Sequence, residues 1–106
     1  MNKENPLTEA TFYILLALRK PNHGYGIIQE VALLTNSRVV LGAGTLYGAI
    51  NSLIKKRWIR LYSEETESRK KKEYILTEEG YSIFSNEENR LKELIKNAKL
   101  MEEYHG

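Results

Sequence analysis

The chain has 106 residues, of which 42% are hydrophobic and 28% are charged, and its formal net charge is +2. This length allows one modest hydrophobic core and is short for a two-domain enzyme, and no apolar run is long enough to span a bilayer. Cysteine is absent, which excludes disulfides, thiolate catalysis and zinc-finger folding and makes the cytoplasm the default location.

Charge is distributed unevenly along the chain. Residues 38–72 hold nine Lys or Arg against three Glu, a balance of +6, whereas residues 73–106 hold four against eight, a balance of −4. Four consecutive cations, Arg69, Lys70, Lys71 and Lys72, end the basic part. Because like charges at one loop repel one another, this tract favours an anionic partner, and nucleic-acid phosphate is the first candidate.

The first part of the chain predicts two helices. Thr8 is suited to cap a helix that continues to about Lys20. Apolar residues cover every side of this helix, so one core does not account for them, and a second subunit would supply a further contact. After a loop signal, a second helix is predicted from about Gly24 to Leu34.

The middle of the chain predicts a short strand and a third helix. Residues 39–41 are β-branched or apolar and predict a very short strand that pairs with a later hairpin. The third helix is predicted to begin near Gly44 or Thr45. Its predicted buried face consists of Leu46, Ile50, Leu53 and Ile54, at positions i, i+4, i+7 and i+8. Its outward face then holds Tyr47, Gly48, Asn51, Ser52 and Lys55.

The remainder predicts a hairpin and a long helix. Residues 58–62 alternate as a strand and residues 74–77 form the returning strand, with the cations in the loop and at the start of the return. Thr77 caps a last helix, predicted from about Glu78 towards Glu103. A heptad pattern runs along this helix and requires a partner. The pattern comprises Phe84, Glu87, Leu91, Leu94, Ala98 and Met101, with Ile95 beside it.

Little in the sequence supports catalysis. The two histidines, His23 and His105, suggest neither a metal site nor a Ser-His-Asp arrangement, and both are interpreted as loop or surface residues. Gly42, Gly44 and Gly48 invite comparison with a dinucleotide-binding turn, but the third glycine is one residue late and no sheet of alternating strands and helices supports it. No catalytic residue, metal ligand or cofactor is therefore predicted.

The third helix suits a nucleic-acid groove. Small Gly48 would let the backbone lie deep in a major groove, Thr45 and Tyr47 would reach phosphates or base edges, and Asn51 would read adenine or a phosphate. Amides at the helix start would add phosphate affinity. Two simpler interpretations stay open, in which Tyr47 packs on the second helix and Lys55 belongs to a solvated face.

Four ordered motifs resemble those of the PadR-like bacterial transcriptional regulators over nearly the whole chain. They are Leu7-Thr8, then Pro21-x-His23-Gly24-Tyr25-Gly26-Ile27, then Gly42-x-Gly44-Thr45-Leu46-Tyr47, and finally Arg69-Lys70-Lys71-Lys72-x-Tyr74-x-Leu76-Thr77-x-x-Gly80. The resemblance implies a winged helix-turn-helix followed by a long C-terminal dimerisation helix, and the length suits the smaller subfamily with a single such helix. Arg57 departs from the pattern, since the family commonly has glycine there, and a non-glycine at that turn must avoid positive φ or tolerate its strain.

The resemblance also implies a homodimeric repressor that binds a pseudo-palindromic operator in double-stranded DNA, and relatives respond to small aromatic or lipophilic effectors. The residues expected at the DNA are Tyr25, Thr45, Tyr47, Gly48, Asn51, Ser52, Lys55, Arg69, Lys70, Lys71 and Lys72. Those expected at the dimer contact are Phe12, Leu15, Phe84, Leu91, Leu94, Ile95, Ala98 and Met101. Phe12 and Tyr13 would line an effector cavity at the dimer interface or simply pack in the core, whereas Trp58 is placed at the base of the wing without a ligand-stacking role.

These observations predict a mainly α (α+β) protein with a winged helix-turn-helix domain at residues 1–77 and a dimerisation helix at residues 78–106. The predicted function is transcriptional regulation through DNA binding, without catalysis, cofactor or membrane contact. The alternative is a winged-helix protein-interaction or ligand-binding module that does not bind DNA.

Overall fold

The computed structural model describes residues 6–64 and 72–105. In chain order the elements are α1 (Glu9–Ala17), β1 (Asn22–His23), α2 (Gly24–Leu34), α3 (Ala43–Lys55), β2 (Ile59–Glu64), β3 (Lys72–Leu76) and α4 (Glu78–His105). The four predicted helices are confirmed, and so is the mainly helical fold with a small antiparallel sheet. No helix within the described ranges is long and apolar enough to cross a membrane.

Helix α1 is capped as predicted but ends earlier. The Thr8 hydroxyl accepts the N–H of Thr11 at 3.1 Å. The helix ends at Ala17, three residues before the predicted Lys20. The carbonyl of Leu18 instead accepts the N–H of Leu76 in β3 at 3.0 Å. This bond joins the end of α1 to the sheet.

The three strands form an antiparallel sheet in the order β1-β3-β2. The β2 and β3 strands form the predicted hairpin. The register shifts between Leu61 and Ser63, so that Tyr62 is the extra residue of a bulge. The bulge lies in the part of the hairpin that leads towards the cationic tract.

The prediction of a strand at residues 39–41 is wrong. These residues carry no strand in the structure, and the third strand is the two-residue β1 just before α2. Leu41 is buried and Val39 packs against the core, while the backbone N–H of Val39 donates to the Thr35 hydroxyl at 3.0 Å. The apolar run therefore serves core packing in the α2–α3 connection instead of strand pairing.

The core lies between the first three helices and the sheet. Its most deeply buried large side chains are Ile14, Leu15, Leu18, Ile27, Val31, Leu46, Ile50 and Ile59. Within the same chain α1 contacts both α2 and α4. These two contacts account for apolar residues on more than one side of α1.

Helix α3 ends in a Schellman motif with arginine in the position that favours glycine. The N–H of Arg57 donates to the carbonyl of Ile54 at 2.9 Å, and the N–H of Trp58 donates to that of Leu53 at 3.1 Å. Arg57 has a φ of 67°. The chain thus keeps the left-handed turn into the wing and tolerates the modest strain of a side chain there.

The first turns of α4 are fixed to the rest of the fold. The Thr77 hydroxyl accepts the N–H of Gly80 at 3.0 Å, which confirms the predicted cap, and donates to the Arg57 carbonyl at 2.6 Å. A Cβ placed on Gly80 would lie 1.9 Å from the carbonyl oxygen of Trp58. Glycine therefore allows α4 to pack directly on the backbone between α3 and β2.

Beyond these turns α4 leaves the core. It has 28 residues, which at 1.5 Å per residue corresponds to about 42 Å. The radius of gyration is 16.1 Å, against roughly 13 Å for a compact chain of this length. The distal part of α4 therefore extends away from the body of the chain.

Candidate nucleic-acid interface

One face of α3 is exposed and is built from small, polar and basic residues. This α3 face comprises Thr45, Tyr47, Gly48, Asn51, Ser52 and Lys55, all of which are exposed, as predicted. The opposite face buries Leu46, Ile50 and Leu53. The helix is thus held from one side and leaves a polar side open to a partner.

Ile54 was predicted to be buried with this core-facing stripe, and that prediction is wrong. The residue is 38% exposed. At 100° per residue, Ile54 lies about 80° around the helix from Leu46, at the edge of the buried stripe. The buried side of α3 is therefore narrower than we predicted from the spacing of its apolar residues.

Helices α2 and α3 meet at their first turns. Gly24 is buried, and a Cβ placed on it would lie 2.1 Å from the Tyr47 hydroxyl oxygen. Tyr47 thus packs on α2 and yet remains 46% exposed, so the two interpretations left open for this residue are compatible. Tyr25, the next residue of α2, is 64% exposed. The contact places the exposed start of α2 beside the start of α3.

His23 has a role that the sequence analysis missed. It is the N-cap of α2, and its Nδ1 accepts the N–H of Gly26 at 3.2 Å. The histidine therefore fixes the turn that carries Tyr25. Its position just before an apolar helical pattern was the available signal, but histidine is a less common cap than Ser, Thr, Asp or Asn.

The wing presents further exposed residues on its described strands. Lys72 begins β3 and is exposed, and so are Arg60 and Tyr62 on β2. Arg69, Lys70 and Lys71 lie outside the described residues, so their predicted position at the wing tip stays a prediction. Arg60 and Tyr62 were missed as surface candidates. The alternation of residues 58–62 was the available signal, because it places both on the side of the strand opposite buried Ile59.

The cations of this surface are available to an anion. Three salt bridges join side chains within the described ranges, and they involve Arg38 with Glu9, Arg90 with Glu87, and Lys92 with Glu88. Neither Lys55 nor Lys72 takes part in them. Among the described residues, therefore, neither ammonium group has an ion pair that a phosphate would have to replace.

The residues predicted for the dimer contact fall into two groups. Leu15 is fully buried within one chain, and the ring of Phe84, also buried, stacks on Phe12 with centroids 4.8 Å apart. Leu15 and Phe84 pack inside the chain, which differs from their predicted place at a subunit surface, whereas Phe12 is only half-buried and its predicted dimer contact stays a prediction. The second group lies on the distal part of α4. Leu91 is half-buried there, and Leu94, Ile95, Ala98 and Met101 are exposed.

Glu87 belongs to the heptad pattern, but its carboxylate is hydrogen-bonded to residues of its own chain. Its carboxylate accepts the N–H of Leu7 at 3.1 Å and two hydrogen bonds from Arg90 at 2.8 and 2.9 Å. The Arg90 guanidinium holds the pKa of the Glu87 carboxyl below its ordinary value, and the Leu7 N–H adds to this against the opposing effect of burial. Glu87 thus ties residues 6–8, here called the arm, to α4.

Side chains that could hold a metal do not gather in the described part of the chain. No group of three or more His, Asp or Glu residues there has a suitable arrangement.

A helical core with a three-stranded sheet, and a hairpin directly after the exposed helix α3, defines a winged helix-turn-helix protein with an added C-terminal helix. The model of the transcriptional regulator PadR-like family matches residues 14–86. The chain therefore belongs to the PadR-like family of transcriptional regulators, which is a family of regulators and not of enzymes.

Solved structures agree with this assignment. A PadR family transcription regulator from Clostridium difficile R20291 is 26% identical, with 93% of this chain and 100% of that chain covered and a TM-score of 0.65. A PadR family regulator from Eggerthella lenta DSM 2243 is 22% identical, with 85% and 78% covered and a TM-score of 0.72. Bacillus subtilis PadR, solved in complex with operator DNA, is 21% identical, with 78% and 48% covered and a TM-score of 0.67. No curated protein sequence matches the chain.

Proposed function

We propose that this protein is a homodimeric, sequence-specific DNA-binding regulator that represses transcription from a pseudo-palindromic operator in double-stranded DNA. A regulator of this kind works in the cytoplasm, which is where we expect it. The proposal adds dimerisation, DNA contact residues and repression to the family membership established above.

The α3 face is the observation that carries the proposal. A major groove admits a helix whose exposed side is small and polar, because hydrogen-bonding groups must approach base edges closely. A Cβ placed on Gly48 would meet no atom within 4 Å, so this part of the helix is open on its outer side. Asn51 and Ser52 follow one turn later and can donate and accept hydrogen bonds there.

The other proposed DNA contacts surround this helix. Tyr25 and Tyr47 are exposed at the joined starts of α2 and α3, where they can reach backbone phosphate. Lys55 and Lys72 supply cations, and we propose that Arg69, Lys70 and Lys71 add to them at the wing. Together these residues would position the protein on the duplex, whereas Asn51 would contribute most to the choice of sequence.

Two copies would join through the distal part of α4. We define the distal α4 face as Leu91, Leu94, Ile95, Ala98 and Met101. A second copy would cover it, and the two α3 helices would then enter successive major grooves on one side of the duplex, about 34 Å apart. In this proposal residues 1–77 form the DNA-binding unit and residues 78–106 the dimerisation helix, whose first turns also support the core.

We further propose that a small aromatic or lipophilic effector relieves repression. Support comes from the aromatic side chains of α1, since Phe12 contacts Tyr13 edge to face with centroids 6.2 Å apart and also stacks on Phe84. These rings lie where α1 meets α4, next to the surface that a second subunit would approach.

A gel-shift titration with the DNA upstream of the protein's own gene, repeated at several salt concentrations, tests the proposal. We expect retardation that survives excess unrelated DNA and weakens as salt increases. Retardation that is equal for unrelated DNA, or absent at low salt, would contradict it and favour the interaction or ligand-binding module without DNA binding.

A further inference from the structure

The start of α2 is held by the imidazole ring of His23. Its Nδ1 accepts the N–H of Gly26 at 3.2 Å, and this bond caps the helix. A ring nitrogen that accepts a hydrogen bond carries no proton, so His23 is neutral in this arrangement and its proton is on Nε2. The cap therefore exists in only one of the two charge states of this side chain.

The surroundings of the ring are closely packed. A Cβ placed on Gly26 would lie 3.3 Å from the Nε2 of His23 and 2.2 Å from the Oδ1 of Asn22. That Oδ1 accepts the N–H of His23 at 2.9 Å, while the Nδ2 of Asn22 donates to the carbonyl of Ala17, the last residue of α1, at 3.4 Å. The backbone of His23 is thus tied to α1, and its ring lies against the first turn of α2.

Protonation of His23 would remove the cap for two reasons. An imidazolium donates from both ring nitrogens, so Nδ1 could no longer accept the N–H of Gly26. In addition, the N-terminus of a helix carries a partial positive charge, which repels a cation placed beside it. Histidine changes its charge between about pH 5 and pH 8, so the cap is sensitive to pH near neutrality.

Strand β3 supplies an anion for the protonated ring. In the antiparallel pair of β1 and β3, His23 lies directly opposite Glu73. Side chains in such a pair are on the same face of the sheet, with Cβ atoms about 4.5–5.5 Å apart. The Glu73 carboxylate accepts from the Ser63 hydroxyl at 2.9 Å, which holds it at the wing. An imidazolium that leaves Gly26 therefore has a carboxylate within reach.

The other titratable groups around β1 do not reverse this preference. Strand β1 packs mainly against α2 and β3. The titratable side chains around it, besides Glu73 and within the described ranges, are Tyr25 and Glu30 on α2, Lys72 and Tyr74 on β3, Tyr47 on α3, and Arg19 and Lys20 after α1. Strand alternation places Lys72 on the face opposite to Glu73, and Arg19 and Lys20 are exposed and screened by solvent. Glu30 is a second carboxylate and would add to the attraction.

We propose that His23 is a pH-dependent positioning residue for DNA binding. The neutral ring fixes the start of α2, whereas protonation releases the ring towards Glu73 and weakens the contact with DNA. The second part rests on the proposed function. Tyr25 follows the cap and is exposed, and Gly24 packs on Tyr47 of the α3 face, so release of this turn disturbs both proposed phosphate contacts. The added positive charge would by itself favour DNA, but Glu73 balances it.

NMR spectroscopy of the isotope-labelled full chain tests the cap without DNA. At about pH 7.5 we expect the His23 ring to be neutral and protonated at Nε2, and the Gly26 amide signal should shift together with the ring signals as the pH falls to about 5.5. In His23→Asn the Gly26 signal should change much less, because asparagine is a good N-cap that does not titrate. A neutral ring protonated at Nδ1, or an equal shift of Gly26 in His23→Asn, would overturn the proposed switch.

Fluorescence anisotropy with labelled upstream DNA measures the consequence at a fixed salt concentration. Between about pH 7.5 and about pH 5.5, the dissociation constant of the wild type should rise at least about fivefold more than that of His23→Asn, because each of the two chains loses its cap. His105→Asn replaces the chain's other histidine and is the matched control. It should keep the pH profile of the wild type.

A second variant separates a pH-dependent role from a purely structural one. His23→Ala lacks the cap at every pH, so its affinity for DNA should be low throughout and should change with pH no more than that of His23→Asn. Equal pH profiles for the wild type and His23→Asn, or tighter binding of the wild type in acid, would overturn the coupling to DNA. Release of Gly26 seen by NMR in a protein that binds no DNA at either pH would instead refute the proposed function.

Discussion

The α3 face and the distal α4 face are both exposed, but they differ in chemistry. The first offers small polar groups and Lys55, whereas the second offers Leu94, Ile95 and Met101, each more than half exposed. Polar groups remain hydrated until a polar partner replaces the water, whereas exposed apolar area costs about 25 cal/mol per Å². This difference in chemistry underlies the two partners proposed above, a polyanion for α3 and a second apolar helix for α4.

Salt should affect the two proposed contacts in opposite directions. Phosphate contacts release counterions, so DNA affinity falls as salt increases. Apolar association is not weakened in this way and is strengthened by salts that are excluded from protein surfaces. The first three substitutions below each disrupt one of these two proposed contacts.

The largest effect is expected from Leu91→Glu combined with Leu94→Glu. Two charges on the distal α4 face should produce monomers, and loss of the second α3 helix should weaken DNA binding by about 100-fold or more. Light scattering measures the mass and anisotropy measures the affinity. Asn89→Glu with Lys96→Gln adds the same charge on the opposite side of α4 and should leave both unchanged. A dimeric mass for the Leu91→Glu, Leu94→Glu variant would refute the proposed dimer contact at the distal α4 face.

Removal of the wing charges should change mainly the salt dependence. With Lys70, Lys71 and Lys72 replaced by Ala, loss of three phosphate contacts in each of two chains should flatten the log–log salt slope by about five. The dimer mass should stay the same. Lys92, Lys96 and Lys99 on α4 form a control set, since their replacement removes equal charge far from the proposed DNA surface. Equal slopes for the two triple variants would exclude a specific wing contact.

Asn51→Ala should affect sequence choice more than general affinity. Loss of a base contact costs about 1–3 kcal/mol on the preferred sequence, while binding to unrelated DNA should change little. Competition titrations measure the ratio of the affinity for the preferred sequence to the affinity for unrelated DNA. Asn86→Ala, at an exposed asparagine of α4, is the control and should keep the ratio of the wild type. If Asn51→Ala weakens both DNAs equally, the residue contacts phosphate instead of a base.

The smallest effect concerns the attachment of α4. Because the folded-state pKa of Glu87 lies below the ordinary 4.5, its ion pair stabilises the fold above that pH and the stabilisation is lost as pH falls through the lowered value. Glu87→Gln should therefore lower the free energy of unfolding by about 1 kcal/mol at about pH 7, limited by the exposure of Arg90, and by less near pH 3.

Urea titrations at both pH values and one protein concentration provide this comparison. Glu88→Gln serves as the control, because Glu88 pairs with Lys92 at 3.7 Å on an exposed side of α4. We expect Glu88→Gln to lower the free energy of unfolding by less than about 0.5 kcal/mol. A deficit in Glu87→Gln that grows towards low pH would contradict the assigned sign of the pKa shift.

The sequence predicted the elements with strong local signals. Thr8 and Thr77 are caps of a common type, and the spacing of Leu46, Ile50 and Leu53 identified the buried side of α3 and hence its exposed side. These signals lie within a few residues of the structure they determine. The exposed residues of the α3 face were predicted for the same reason.

The features that sequence reasoning missed depend on distant contacts. β1 has two residues, too few to show a period, and its pairing to Tyr74 and Glu73 is set by the fold. Leu15 and Phe84 were predicted at a subunit surface because an apolar residue does not reveal which helix covers it. The bond between Leu7 and Glu87 joins residues that are 80 positions apart.

Protection of guanine N7 from dimethyl sulfate in the upstream DNA tests the central claim most directly, because it reports major-groove occupation base by base. If α3 enters the groove and α4 joins two copies, two protected clusters should lie on one side of the duplex, about 10 base pairs apart or a multiple of this. The clusters should disappear together in the Leu91→Glu, Leu94→Glu variant. A single cluster, or none on DNA that is fully bound, would contradict the account.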